Sequence, residues 1–337
     1  MTMTMTNKWP HGRVPYTVDP KFTLDDRAII NKAIQEYTEK TCIRFVPKTS
    51  KDDDYVAFLL DNDVCGVAHV CRMGGWQYAK MGRECMKVRT VIHELGHSIC
   101  MKHEHSRVDR DKFIKTTKHT GKDHNFQIVE SGSTTSGLMY DYQSVMHYGC
   151  RSFFKAKSGS VTHCGGREEL SVLDAEKINA FYDCGCCHSY RFRSPDRADN
   201  DLVTPGYDTD GSQLGVCRAY VDGVIVPGKY DPLDGKCYIP WRLKEQIVTK
   251  NFEVLTLPQP KYFSWEAVKN GQVPSSAVAG GRSKDGALLY IGRCLETLAT
   301  GKTVLLPGYI RNGKISVPHD GKERNCINFE VLTCSEK

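Results

Sequence analysis

Between Met86 and Ile99 the chain sets apolar residues at helical spacing, Val91, Ile92, Leu95 and Ile99, and threads His93-Glu94-Leu95-Gly96-His97 through them. On a helix, positions i and i+4 lie one turn apart on one face, so His93 and His97 can offer ring nitrogens to a single ion. His103 follows six residues further on, and for it to join the pair the helix must end and the chain must fold back. The expected ion is zinc, one Zn²⁺ per chain. Three neutral imidazoles leave the fourth position of a tetrahedral ion open to water, the mark of a catalytic rather than a structural site. Glu94, one residue round the helix, then serves as general base.

Such a helix needs a core to lean on, and the chain has material for two. Its 337 residues exceed one ordinary core, and 40% hydrophobic with 26% charged residues is a globular balance. There is no run of about 18 apolar residues, so no membrane span is expected. Of 15 cysteines and 12 histidines, ten and eleven lie before residue 189, which concentrates the chemistry in the first half. That many cysteines point to disulfides and a secreted protein. No signal peptide is visible. The thrice-repeated Met-Thr at residues 1–6 reads as a trimmed or truncated start, with signal peptide and propeptide expected upstream. The net charge of +6 is modest and interspersed, so nucleic acid is not an expected partner.

Thr23, followed by Asp25 and Asp26, opens a helix over Leu24 to Lys40, with Ile29, Ile30, Ala33, Ile34 and Tyr37 at helical spacing to pack on a sheet. Short strands are expected at Ile43 to Pro47 and Tyr55 to Leu60. A third helix starts after Ser171, with Asp174 at its third position, and ends at Cys184-Gly-Cys186-Cys187. Beyond that the texture changes to short β-like runs. Val226-Pro-Gly-Lys229, Cys237-Tyr-Ile-Pro240, Lys244-Glu245 and Asn251-Phe-Glu-Val-Leu-Thr256 recur, offset by 77 to 80 residues, as Leu306-Pro-Gly-Tyr309, Ile315-Ser-Val-Pro318, Lys322-Glu323 and Asn328-Phe-Glu-Val-Leu-Thr333. Two copies of one β-rich unit are expected to pack as one pseudo-symmetric domain. The expected plan is a first domain over 1–188, a linker over 189–200 containing Arg191-Phe-Arg193, and the repeat domain over 201–337.

The segment HELGHSICMKHEHSRVDRD from His93 to Asp111, with Ser144-Val-Met146-His-Tyr148, Glu39-Lys-Thr-Cys42-Ile-Arg-Phe-Val-Pro47, Trp9-Pro-His-Gly-Arg-Val-Pro-Tyr16 and Ile178-Asn-Ala-Phe-Tyr182, resembles the astacin family of metzincin zinc endopeptidases over about residues 8–187. The resemblance implies an α+β zinc-protease domain that cuts protein or peptide substrates. It implies zinc bound by His93, His97 and His103, with Glu94 as the base that passes a proton to the leaving amine. Met146 would pack in the methionine turn beneath the site, and Tyr148 would hydrogen-bond the oxyanion. Glu104 would receive the mature N-terminus through water. Disulfides Cys42 with Cys186 and Cys65 with Cys85 would follow. One departure stands out, Cys100 where the family has a glycine. A left-handed backbone there costs a non-glycine residue about 1 kcal/mol, and a disulfide to Cys150 is the expected brace. His69, His105, His119, His124 and His163 read as surface or satisfied polar groups.

The repeats resemble the DM-nine family, known from natterin-like proteins and mannose-binding lectins of molluscs. Trp265, Gly271-Gln-Val-Pro274, Ala277-Val-Ala-Gly-Gly281, Asp285-Gly-Ala-Leu-Leu-Tyr-Ile-Gly-Arg293 and the closing Phe-Glu-Val-Leu carry it, over about residues 201–334. The first copy lacks the leading tryptophan. The resemblance implies a site for mannose-type glycans at Asp208, with Asp210 a near alternative, and Lys229; an exposed salt bridge fits the same pair equally well. The second copy has Ser283 and Tyr309 there, so one site is expected, and no pairing is implied for the five cysteines of this half. The fold class is therefore an α+β metzincin zinc-protease domain followed by an all-β pseudo-symmetric repeat domain. The rival reading is a lectin-like recognition protein whose protease is impaired at Cys100.

Overall fold

The computed structural model describes residues 7–117, 124–129, 138–158, 161, 163–165, 168–185, 190–198 and 201–335. The chain divides into two compact units, one of Met1–Ser136 with Tyr140–Cys184, the other of Gly137–Met139 with Gly185–Lys337. No helix among the described residues is long and apolar enough to cross a membrane.

The first unit is built from β1 (Arg13–Val18), α1 (Leu24–Lys40), β2 (Arg44–Pro47), β3 (Tyr55–Leu60), β4 (Gly66–Ala68), β5 (Trp76–Met81) and α2 (Val88–Ser98), followed by the short β6 (Ile114–Thr116), α3 (Cys150–Phe153) and β7 (Phe154–Ala156), and then α4 (Val172–Tyr182). Local capping chemistry sets two helix starts. Thr23 Oγ1 accepts from the Asp26 amide while the Asp26 carboxylate accepts from the Thr23 amide, and Ser171 with Asp174 does the same for α4. The five-stranded sheet runs β2-β1-β3-β5-β4, with β1, β2, β3 and β5 parallel and β4 an antiparallel edge. Buried Ile30, Ala33 and Tyr37 of α1 join Val91, Ile92 and Leu95 of α2 and Val56, Phe58, Ala79 and Met81 of the sheet in one core. Tyr37 also donates from its hydroxyl to the Ile92 carbonyl at 2.6 Å, which locks α1 to α2. The expected start of α2 at Met86 moves to Val88, because Arg83–Cys85 form a 3-10 turn that Cys85 ties to Cys65.

One expected pairing is corrected. Cys42 bonds to Cys184, with Cα atoms 5.3 Å apart, rather than to Cys186, which lies outside the described residues. Asp183 turns into the left-handed region (φ 53°) at the end of α4, and this brings the very next residue against Cys42.

The second unit is all β: β8 (Arg191–Arg193), β9 (Gly206–Tyr207), β10 (Gln213–Val221), β11 (Val224–Asp231), β12 (Lys236–Trp241), β13 (Lys244–Val248), β14 (Phe252–Thr256), β15 (Phe263–Ala267), β16 (Ala279–Arg282), β17 (Leu288–Thr297), β18 (Thr303–Arg311), β19 (Lys314–His319), β20 (Lys322–Cys326) and β21 (Phe329–Cys334). Pairings β10–β11 and β17–β18 close the sheet on itself. The repeat copies are β10 to β14 and β17 to β21. Arg242-Leu243 between β12 and β13 and Asp320-Gly321 between β19 and β20, all four with positive φ, make the matching tight hairpins that the strand twist favours. Where β13 meets β20, the Glu323 carboxylate accepts from the Leu243 amide and the Glu245 carboxylate accepts from the Gly321 amide, the same contact made in both directions.

Two further readings change here. The stretch 189–200 is not a plain linker, since β8 pairs with β14 and Pro195–Arg197 form a 3-10 turn. Phe192 on β8 packs on the Arg218 guanidinium at 3.8 Å as Trp265 on β15 packs on Arg293 at 4.6 Å. The first copy thus has a leading aromatic strand, with phenylalanine in the tryptophan's place. Disulfides Cys217–Cys237 and Cys294–Cys326 also form, although none was expected. Cys237 faces Val248 across its ladder and Ile315 faces Cys326 across the equivalent one, so the second cysteine sits on opposite strands of equivalent pairs.

Candidate metal centre and active site

The helix α2 and the turn after it bring His93, His97 and His103 together, with ligand nitrogens all within 4.8 Å of one another. His93 Nδ1 bonds to the Val145 carbonyl and His97 Nδ1 to the Met101 carbonyl, both at 2.9 Å. A carbonyl only accepts, so each Nδ1 carries the proton and each Nε2 keeps a lone pair for a metal. His93 Nε2 and His103 Nε2 face each other at 3.1 Å. Burial lowers all three imidazole pKa values, that of His97 to about 3, which keeps them neutral and able to ligate.

Glu94 points into the same space from beside them. Burial pushes its carboxyl up to about 8, and its Oε2 is buried without a hydrogen-bond partner among the described residues. Its side chain rests on Gly66 of the edge strand β4, where a Cβ would come within 2.6 Å of Glu94 Oε1. Three converging imidazole nitrogens, two of them with an inward lone pair fixed by the outer hydrogen bond, beside a carboxylate oxygen without a partner among the described residues are a donor set that fits a zinc ion and a water.

The turn that delivers His103 is braced from several sides. Trp9 Nε1 donates to the Ser98 carbonyl at 2.9 Å, and the amides of Cys71 and Cys100 both donate to His97 O at 2.9 Å. Cys100 is left-handed, with φ 81°. It bonds to Cys71 and not to Cys150, which pairs with Cys164. The brace therefore comes from the loop after β4, whose amide already reaches the end of α2, and Cys150 sits on α3.

Beneath the site, Met146 is buried, and a Cβ on Gly96 would approach its sulfur to 2.8 Å. The helix can lie this close to the methionine only because residue 96 has no side chain. The Met146 carbonyl accepts from the Glu104 amide at 3.1 Å. Tyr148 stands 4.8 Å, ring to ring, from His103. His105, expected as a surface or satisfied polar group, is fully buried with both ring nitrogens bonded, Nε2 to the Asn125 carbonyl at 3.1 Å and Nδ1 accepting from the Tyr148 amide at 3.2 Å; it also stacks on His103 at 4.7 Å, and its link to Tyr148 was not foreseen. Its place two residues beyond a ligand was the available signal. The cleft above has a volume of about 740 Å³, and Val67, Val70, Met73, Lys102, Val129 and Tyr148 line it with the histidines.

Among the other expected positions, Asp208 and Lys229 do meet, at 4.0 Å. Lys229 lies nearer to Glu245, at 3.5 Å, and over the Tyr238 ring at 4.8 Å, two neighbours the repeat pattern alone did not single out. In the second copy Tyr309 replaces the lysine and bonds to Glu323 at 3.5 Å. His69 is partly buried against Tyr78, and His119 lies outside the described residues.

A helix-borne histidine pair, a third histidine after a braced turn and an orphaned glutamate together define a zinc-protease type of centre. The profile of the astacin peptidase family matches residues 1–183, more than half of the chain, and the chain belongs to that family. The DM9 repeat profile matches residues 208–306. The chain is similar to zinc metalloproteinase nas-8 of Caenorhabditis elegans, 36% identical over 194 residues, which are 54% of this chain and 48% of that protein. It is 39% identical over 189 residues to zinc metalloproteinase nas-8 of Steinernema carpocapsae, covering 52% of this chain and 45% of that one. Among solved structures it is similar to high choriolytic enzyme 1, a hatching enzyme zinc-protease from Oryzias latipes (medaka fish), at 28% identity and TM-score 0.48, covering 53% of this chain and 94% of that one. The chain spans about half the length of the curated relatives it matches.

Proposed function

We propose that the chain is a secreted zinc endopeptidase that hydrolyses peptide bonds in protein or peptide substrates. The observation that carries this reading is Glu94 Oε2, buried without a hydrogen-bond partner among the described residues and beside three imidazoles, two of which have their outer nitrogens already committed. Zinc held by His93, His97 and His103 would supply Lewis acidity, polarising a carbonyl and easing deprotonation of water. Glu94 takes the proton of the attacking water at its carboxylate and returns it to the leaving amine. Burial raises this carboxyl in the ion-free site, and the charge of a bound zinc would favour the carboxylate that the first proton transfer needs. Tyr148 presents its phenol to the oxygen on which negative charge develops. His105 holds the Tyr148 backbone in place for this. Six disulfides among the described residues favour an oxidising, extracellular setting. The Cys71–Cys100 bond braces the turn at Cys100, which counts against the rival reading of a protease impaired there.

The test is digestion of a peptide library by the full chain, with and without a chelator. Chelator-sensitive cleavage at internal bonds is expected, and cleavage that survives metal removal contradicts the reading.

A second reading concerns the repeat unit. The ammonium of Lys229 between Asp208 and Glu245 offers a donor beside two acceptors, an arrangement suited to adjacent sugar hydroxyls. It would tether the protease to glycosylated surfaces. Binding of the full chain to a mannose-type glycan, lost in Lys229→Ala, is the expected result, and absence of binding by the native chain opposes it.

A further inference from the structure

Glu104 follows the ligand His103 directly, and its side chain is only 6% exposed. A buried carboxylate is costly unless paired and hydrogen-bonded, and here both oxygens are served. Oε2 accepts from Lys177 Nζ at 2.5 Å, while Oε1 accepts from Arg107 Nη1 at 3.0 Å and from the Asp141 amide at 2.8 Å. The Glu104 amide reaches the Met146 carbonyl. Glu104 is thus the joint of four pieces: the segment after His103, the methionine turn, the loop at Asp141 and helix α4. Of its two cations, Arg107 is shared, since its Nε and Nη2 bind the Asp109 carboxylate at 2.9 Å each. The Lys177 side chain is 12% exposed and ion-pairs with Glu104.

The resemblance gave this glutamate another partner, a free N-terminal ammonium arriving through water. A cavity of about 60 Å³, with room for one or two waters, lies against the site and is lined by Ile99, Cys100, His103, Glu104, Lys177 and Phe181. An ammonium entering it would meet Lys177, a like charge already seated on the carboxylate.

We propose that Lys177 is a positioning residue of the zinc site: from helix α4 it supplies Glu104 with the cation otherwise expected from a free N-terminus, so His103 is held without that terminus. Lys177 touches neither substrate nor metal ligand in this role. It acts through Glu104 on the backbone that carries His103. The proposal rests on the endopeptidase reading only for its kinetic readout.

The experiment compares four full-length proteins: native, native with its N-terminus blocked by a short Gly-Ser extension, Lys177→Met and Lys177→Arg. Two quantities are read, zinc retention against a competing chelator and the split of kcat from KM on a peptide substrate. Lys177→Met is expected to weaken zinc retention and lower kcat by about tenfold, the scale of losing a partner outside the ligand set, with KM within about twofold and Lys177→Arg restoring most of both. The blocked N-terminus is expected to change neither. Native retention and kcat in Lys177→Met overturn the proposal, and so does a blocked N-terminus that weakens zinc as Lys177→Met does. Should Lys177→Met not fold, the blocked protein and Lys177→Arg decide the matter: the proposal holds if both keep native zinc retention and fails if either loses it. Should the native chain cleave nothing, the endopeptidase reading fails while zinc retention still tests Lys177.

Discussion

The two units differ in where the counter-charge to their buried acceptors comes from. In the catalytic unit, three imidazole nitrogens and one Glu94 oxygen converge, and among the described residues no donor answers that oxygen. In the repeat unit, Lys229 lies between Asp208 and Glu245 and over Tyr238, and the buried Arg218 is matched by Glu253 at 2.8 Å and by Phe192. The first arrangement gathers acceptors around no cation among the described residues, whereas the second already sets Lys229 and Arg218 beside its carboxylates, although Glu245 Oε1 accepts no hydrogen bond among those residues. An unsatisfied cluster costs free energy that its scaffold must offset, and it persists where a ligand completes it. A cluster that already holds its counter-charge can serve the fold without one. The metal centre is therefore the stronger functional signal of the two.

This contrast can be broken in order of expected effect. Stripping zinc should abolish proteolysis and destabilise the catalytic unit by about 4 kcal/mol relative to zinc at a thousandfold over its Kd. Calorimetry should show that transition moving down while the repeat unit's stays put, and a shift of both would remove the contrast. Arg218→Met should destabilise the repeat unit by about 3 kcal/mol, because Glu253 is left charged and buried. Arg293→Met should cost less than about 1 kcal/mol, since its partner Glu330 is 37% exposed. Equal losses in denaturant melts would show that the two copies are not as different as their burial. Cys100→Ser should cost about 2 kcal/mol through the lost link to Cys71. Cys100→Gly should recover about 1 kcal/mol of that, because glycine accepts φ 81° without strain. Lys229→Ala also leaves a buried carboxylate, Glu245 at 8% exposure, without its cation, so its effect on the melting of the repeat unit should fall between those of Arg218→Met and Arg293→Met, and its glycan binding is to be read below that transition.

Much of the architecture could be read from the chain because its signals are local. The capping boxes at Thr23 and Ser171 mark helix starts within four residues, and the i, i+4 histidines need only a helix to meet. The repeat declared itself through recurring segments such as Asn251-Phe-Glu-Val-Leu-Thr256 and Asn328-Phe-Glu-Val-Leu-Thr333. What escaped depended on the third dimension. The partner of Cys42 was set by a left-handed Asp183, one residue of unusual backbone. The strand β8 reads Arg-Phe-Arg, indistinguishable from a charged linker until Phe192 is seen over Arg218. Lys177 resembles any solvated helix lysine, and His105 any spare histidine. Their importance lies in what faces them across the fold.

The central claim is that Glu94 performs chemistry and does not merely fill space beside the ion. Its most direct test is Glu94→Ala, with zinc content and peptide cleavage measured on the same preparation. The account predicts one zinc per chain retained and cleavage lowered by roughly a hundredfold or more. Cleavage equal to that of the native chain at full zinc content would contradict it.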